Sequence, residues 1–427
     1  MQQWTRVGAC LLLSVPLLAH AAERKAAGTI KVPTDESKPL PVADADISLG
    51  GYVKFDAMFT SLSDGDVSTP GGLRDLYNPN AIPVAASGAE SSHSFLDAHA
   101  KESRLFFKID AHVYQTKLGG YLELDFLSNP GAGTEIATNA YNPGLRRAFV
   151  TYNNWLFGQD WSTFQNMGSL PDSVDYLRWP TEGTVFVRQP QVRYTWAGLP
   201  GGDLQVSLEN PETLVLRNAA TVSGATPVTG TFVTGDAQAP DLVVRYNFRP
   251  SWGDFAAAAL VRQLQADGAA TGGDAPNAVV DGSATGAGLS VSGKIPLFGG
   301  RDDVRFEITG GDGIGRYVAL AAAPDAVADN GGGLATVAVL SGFAAYRHAW
   351  TPRWRSSLMA GVFQADHDAA VSGAGVTKSI ASGRVNLMYS PVDKLTFGLE
   401  FTHSTRKLEN GNAGDLDRLQ FGGWYAF

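Results

Sequence analysis

The sequence predicts an all-β protein: a transmembrane antiparallel β-barrel of about sixteen strands. Three observations carry this expectation. Period-2 alternation of apolar and polar residues dominates the 427 residues, the pattern of half-buried strands. After residue 22 no apolar run reaches the roughly 18 residues of a membrane helix. The connections alternate between short turns and long loops, which a barrel places on opposite sides of a bilayer.

The chain opens with Arg6, an apolar stretch from Val7 to Ala19, and the small residues Ala19 and Ala21. This is the pattern of a secretory signal peptide over residues 1–22. The polar, proline-containing residues 23–46 read as a periplasmic N-terminal segment, and 47–427 as the barrel. The only cysteine is Cys10, inside the leader, which removes disulfides, thiol catalysis and thiolate-bound metals from the exported protein. The net charge of -9 argues against a nucleic-acid partner.

Along the barrel, "SRLFFKIDAHV" sets Leu105, Phe107, Ile109 and Val113 against Arg104, Lys108, Asp110 and His112. "DLVVRYNF", "VRFEITG" and "KLTFGLEFT" alternate in the same way. Short turns fall near 117, 153, 198, 249, 297, 350 and 390, and long loops at roughly 61–100, 128–143, 162–189, 211–239, 266–284, 313–336, 367–377 and 404–415. Short turns face the periplasm and long loops the outside. The reading is therefore an outer-membrane protein with both chain ends in the periplasm. The last strand, "QFGGWYAF", must pair with the first near "LGGYVKFDAMF", because an open edge cannot stay in lipid. Phe427 and Tyr425 are the candidate assembly signal for the barrel-assembly machinery.

A lysine or arginine on the lipid face near the bilayer midplane costs roughly 2–4 kcal/mol. The charged face therefore points inward and the apolar, aromatic face meets outer-membrane lipid and lipopolysaccharide. The inward set, which includes Lys54, Asp56, Glu123, Arg262, Glu307, Arg384, Glu400 and Arg418, predicts a water-filled lumen. Arginines outnumber acids on this face, and much of the acid lies in loops, so the expected solutes are small anions. Arg104, Arg147, Arg188, Arg193, Arg245 and Arg305 are the candidate pore wall. Replacing Arg104, Arg147 and Arg193 together should lower the anion-to-cation permeability ratio.

The third long loop, "STFQNMGSLPDSVDYLRWPTEGTVFVRQPQ", carries Phe164, Met167, Tyr176, Leu177 and Trp179. That apolar content predicts a loop folded into the lumen, with Asp172, Asp175 and Arg178 at the constriction beside Arg188.

"GYVKFDAMFTSLSDGD", "GQDWSTF", "RQPQVRYTW" and "SLENPET" resemble the DcaP-like outer-membrane porins of proteobacteria. The resemblance covers roughly residues 50–215; beyond that only the barrel pattern and the terminal Phe match. It implies a sixteen-stranded trimeric porin that passes small anionic substrates such as dicarboxylates, with Arg188 and Arg193 in the basic wall. Some members of that family carry a coiled-coil stalk at the N-terminus. Here residues 23–46 hold three prolines and no heptads.

Other classes have weaker signals. The histidines after the leader sit in no G-x-S-x-G or H-E-x-x-H motif, so no enzyme, cofactor or metal is expected. A structural or adhesive barrel is the alternative function, and an outer-membrane hydrolase a further one. Single-channel conductance separates a porin from both.

Overall fold

The computed structural model describes residues 44–67, 72–127, 137–177, 180–217, 232–235, 237–266, 282–328 and 333–427. The expected signal peptide at 1–22, nearly all of the segment at 23–46, and Arg178 lie outside these residues.

Seventeen strand segments form one sheet. Two of them, His93–His99 and Arg104–Val113, pair with the same first strand. They are one barrel strand broken at 100–103, where five steps (His99 to Arg104) oppose four (Asp56 to Tyr52). The extra residue is a bulge, and the barrel has sixteen strands. In chain order these are β1 (Asp44–Leu62), β2 (His93–His99 with Arg104–Val113), β3 (Thr116–Asp125) and β4 (Gly144–Tyr152). Then come β5 (Trp155–Trp161), β6 (Arg188–Leu199), β7 (Gly202–Glu209) and β8 (Asp241–Phe248). The second half holds β9 (Asp254–Ala266), β10 (Gly282–Leu297), β11 (Asp302–Asp312) and β12 (Ala338–Ala349). It ends with β13 (Trp354–Asp366), β14 (Thr377–Val392), β15 (Leu395–Leu408) and β16 (Ala413–Ala426).

Each strand pairs antiparallel with its neighbours, and β16 closes on β1 from Tyr52↔Ala426 to Leu62↔Leu416. The ladder is extended by the Phe427 N–H, which donates to Gly51 O at 3.0 Å. Strand β1 is described from Asp44.

The two faces separate as the lipid penalty requires. On β14, Ile380, Ser382, Arg384, Asn386 and Met388 are buried, while Ala381, Gly383, Val385 and Leu387 are exposed. Outward residues elsewhere include Phe55, Leu289, Ile308, Leu358, Phe401, Phe421, Tyr425 and Phe427. Gly423 interrupts this apolar face. A Cβ there would stand 3.2 Å from the ring of Phe397, and that ring stacks on Phe421 at 6.4 Å. The aromatic pair covers the glycine.

Among the described residues, more than the third loop enters the barrel. The first (63–92), third (162–187) and sixth (313–337) all place buried apolar side chains against the inner wall. One cluster joins Phe164 and Val185 of the third loop to Ile314, Tyr317 and Val318 of the sixth and to wall residues Leu260, Phe363 and Ile380. The inward charged set predicts a water-filled lumen, and that set is present on the wall. The wall also carries apolar inward positions, Leu260, Phe363 and Ile380 among them, where loops pack on it. Inward glycines supply notches: a Cβ at Gly288 or Gly311 would stand 2.7 or 2.9 Å from Ile314 Cδ1. The sixth loop gave little sequence signal of insertion because its few large residues, Ile314, Tyr317 and Val318, stand among small ones.

The fourth and sixth loops also meet in a small four-stranded sheet, Thr213–Arg217, Phe232–Gly235, Ala326–Ala328 and Leu334–Thr336. The last loop is only residues 409–412, against the expected 404–415. The pairs His403–Asp417 (2.9 Å) and Thr405–Asp415 (2.5 Å) continue the ladder with polar outward residues. Alternation stops there although the strands do not.

Candidate functional site: the luminal wall and the third loop

The third loop leaves β5 at Trp161 and returns to β6 at Arg188. A loop inside a barrel must satisfy its backbone without bulk water, and wall side chains do this from both directions. Three buried glutamates accept its N–H groups: Glu209 from Thr163 (2.8 Å), Glu400 from Val174 (3.0 Å) and Glu307 from Val185 (2.8 Å). Three cations take its carbonyls: Arg245 donates to Gln165 O, Arg305 to Leu170 O, and Lys54 to Val174 O at 2.6 Å. The glutamates stand on β7, β11 and β15 and so hold the loop across the whole bore.

Of the loop acids, Asp172 pairs with Arg355 at 3.0 Å. Asp175 is buried and accepts the N–H groups of Tyr77 (2.9 Å) and Leu177 (3.1 Å). That ties the third loop to the first. Tyr77 donates to Ser404 Oγ at 2.7 Å, and its ring lies 4.1 Å under the Arg384 guanidinium. Burial holds the Tyr77 phenol well above its ordinary pKa, so it remains a neutral donor. The sixth loop is fastened by Asp325, 2.9 Å from Arg262, and by Tyr317, which donates to Asp241 at 2.7 Å.

Below the third loop, toward the short turns, lies a cavity of about 430 Å³. Arg147, Arg193, Arg245, Arg249 and Lys294 line it, against Asp160 and Asp254. Asp160 bridges two of the arginines, 2.6 Å from Arg147 and 2.9 Å from Arg193. Arg245 donates to Gln205 Oε1 at 2.6 Å, and Arg249 pairs with Asp203 at 2.5 Å.

The other nominated arginines stand beside this cavity. Arg104 is 3.4 Å from Asp125. Arg188 lies over the Trp161 ring at 5.3 Å. Arg305 faces Lys294 in register and pairs with Asp303 at 2.7 Å. Thus Arg147, Arg193 and Arg245 come together, and Arg104, Arg188 and Arg305 extend the basic surface along the same wall.

Sequence reasoning missed Arg146. It is the extra residue of a bulge, because Glu123 pairs with Arg147 and Leu124 with Leu145. Two consecutive arginines therefore serve the inner side. Arg146 binds Glu123 and Asp125, each at 2.7 Å, and donates to the Tyr176 hydroxyl. Lys294 and Arg249 were missed as well. The only signal for Arg249 was its place at a periplasmic turn.

A closed sixteen-strand barrel with an apolar outer face and a basic inner one is a channel of the outer membrane, of porin type. The chain belongs to the DcaP outer membrane protein family, whose model matches residues 29–427.

Among solved structures, the outer membrane channel DcaP of Acinetobacter baumannii is 23% identical, with a TM-score of 0.72 over 91% of this chain and 99% of that one. In-vitro folded OmpT, an outer membrane protein of Vibrio cholerae, is 10% identical, with a TM-score of 0.53 over 91% of this chain and 100% of that one. Its trimer form is 9% identical, with a TM-score of 0.52 over 90% of this chain and 99% of the other. These likenesses are of fold. No curated protein matches the sequence.

Proposed function

We propose that the protein is a passive diffusion channel whose lumen favours small hydrophilic anions, carboxylates such as dicarboxylates among them. One observation carries the reading: the cavity under the third loop is lined by five cationic side chains against two carboxylates. Two unit charges 10 Å apart interact by only about 1.7 kcal/mol at an effective dielectric of 20, so one arginine hardly selects an ion. Several around one narrow space add their potentials, and low-dielectric walls focus the field. In this reading Arg104, Arg188 and Arg305 extend the positive surface. Asp172 and Asp175 act through the loop that they fix.

Residues 1–22 serve as the export signal, Phe427 and Tyr425 as the assembly signal, and three copies assemble, as in the trimer form described for OmpT. The test is the reversal potential across a planar bilayer in a salt gradient. The wild type should pass anions preferentially, and the R147Q/R193Q/R245Q variant should shift toward cations. An unchanged reversal potential sinks the anion reading.

A further inference from the structure

The turn between β12 and β13 reads "WTPRW", residues 350–354. Thr351 Oγ1 fixes it by accepting the N–H groups of Arg353 (3.2 Å) and Trp354 (3.0 Å). Trp350 Nε1–H donates to Ser356 Oγ at 2.9 Å, and its ring stands edge-on to His348 at 4.3 Å. His348 and Ser356 oppose each other in register, one step from the inward pair Arg347 and Ser357. Trp350 therefore lies on the lipid side. Trp354 joins it there, stacked on Tyr389 at 4.4 Å. Trp350 is 61% exposed and Trp354 39%.

These residues line a cavity of about 400 Å³ together with Pro352 and four arginines, 301, 347, 353 and 355. Two of the guanidiniums are closely paired: Arg347 with Asp303 at 2.8 Å, a carboxylate it shares with Arg305, and Arg355 with Asp172 at 3.0 Å. The other two are paired more loosely or not at all. Arg301 has only Asp302 at 3.6 Å, and Arg353 makes no ion pair among the described residues. The turn is a short one, so the cavity sits at the periplasmic edge of the hydrocarbon layer, where indole rings settle.

We propose that this cavity binds an anionic phospholipid of the periplasmic leaflet. Arg301 and Arg353 hold its phosphate, and its glycerol and first acyl carbons lie on Trp350, Pro352 and Trp354. Guanidinium forks match phosphate oxygens, and basic pockets at a membrane surface collect acidic headgroups. A free inorganic anion would use the arginines but leave the aromatic wall without a role.

Native mass spectrometry of the whole channel tests this, with phosphatidylglycerol and phosphatidylethanolamine supplied in equal amounts. Retention of phosphatidylglycerol over phosphatidylethanolamine is expected. A surface cation contributes about fivefold, so R301Q/R353Q should cut phosphatidylglycerol occupancy at least tenfold with single-channel conductance unchanged. W350A/W354A should lower it too. Millimolar inorganic phosphate should not displace the lipid from the wild type. Equal retention of the two lipids, full occupancy in R301Q/R353Q, or displacement by phosphate each overturns the proposal.

Discussion

Val174 of the third loop lies so close to Gly398 of β15 that a Cβ on Gly398 would stand 2.6 Å from Val174 Cγ2. Gly422 on β16 completes the notch, with its hypothetical Cβ 2.7 Å from Val174 Cγ1. Both glycines are inward positions, and the loop side chain takes the volume that their side chains would fill. Overpacking such a contact costs about 1–3 kcal/mol. Gly398→Val should push Val174 out and give larger, noisier single-channel openings in a folded barrel. Wild-type openings would mean that the notch does not seat the loop.

The polar anchor beside that notch can be removed separately. Glu400 accepts from Ser173 Oγ (2.7 Å), Val174 N (3.0 Å) and Asn386 Nδ2 (3.0 Å), and Arg384 approaches it at 3.7 Å. Truncating one partner of a buried charge pair typically costs about 3–5 kcal/mol. Glu400→Ala should speed amide hydrogen exchange at 172–176 while the strands stay protected. Glu400→Gln, which keeps an acceptor, should do so less. Equal exchange in all three proteins refutes the anchoring role.

Asp160 sits between Arg147 and Arg193 and offsets part of their charge. Two charges about 4 Å apart interact by about 4 kcal/mol at an effective dielectric of 20. Asp160→Asn should therefore raise the anion-to-cation permeability ratio, opposite in sign to the arginine replacements. A fall in that ratio on the same bilayer assay contradicts the electrostatic account.

Burial pushes the His367 imidazole below its usual pKa, against the opposing pull of Glu409. The ring is buried in the seventh loop, with Nε2 3.2 Å from Thr377 O. A lowered folded pKa means that the open loop binds a proton more readily than the closed one. Closure is fully favoured above about pH 6.5 and weakens as pH falls toward the folded value. Protease cleavage within 367–376 should rise from pH 7.5 to 5.5 in the wild type and stay flat in His367→Gln. A rise of the same size in the variant assigns the effect elsewhere.

At the seam, the Phe427 N–H donates to Gly51 O while its ring faces lipid. Phe427→Ser, or a short polar extension, should reduce the yield of heat-modifiable barrel more than the conductance of what does assemble. Normal yield would show that the terminal aromatic is not an assembly signal.

The barrel was legible because lipid enforces a strict rule: inside the bilayer, each strand residue faces either hydrocarbon or lumen. That rule wrote Phe397, Leu399 and Phe401 on one side of β15 and Glu400 and Thr402 on the other. It lapses at Thr405 and Asp415, above the apolar band, and there the strand ends were misjudged. Inside the lumen no such rule holds. Asp175 reads as a charge at the constriction, yet it is buried and spent on two backbone N–H groups. Period-2 counting from the inward Arg147 puts Arg146 on the opposite face, and a bulge that no sequence pattern marks turns it inward. Arg245 and Arg305 read as pore charges, and each also holds a carbonyl of the third loop.

The glutamates that seat the third loop also impose an order in time. The loop is made between β5 and β6, but its acceptors arrive later in the chain, on β7, β11 and β15. Contacts this far apart in sequence are slow to form, because the chain between them must be ordered first. A nascent barrel that lacks its last strands therefore cannot finish its own narrowing. The bore is drawn tight only after nearly the entire wall exists, so an incomplete chain would be an unguarded hole rather than a partial filter.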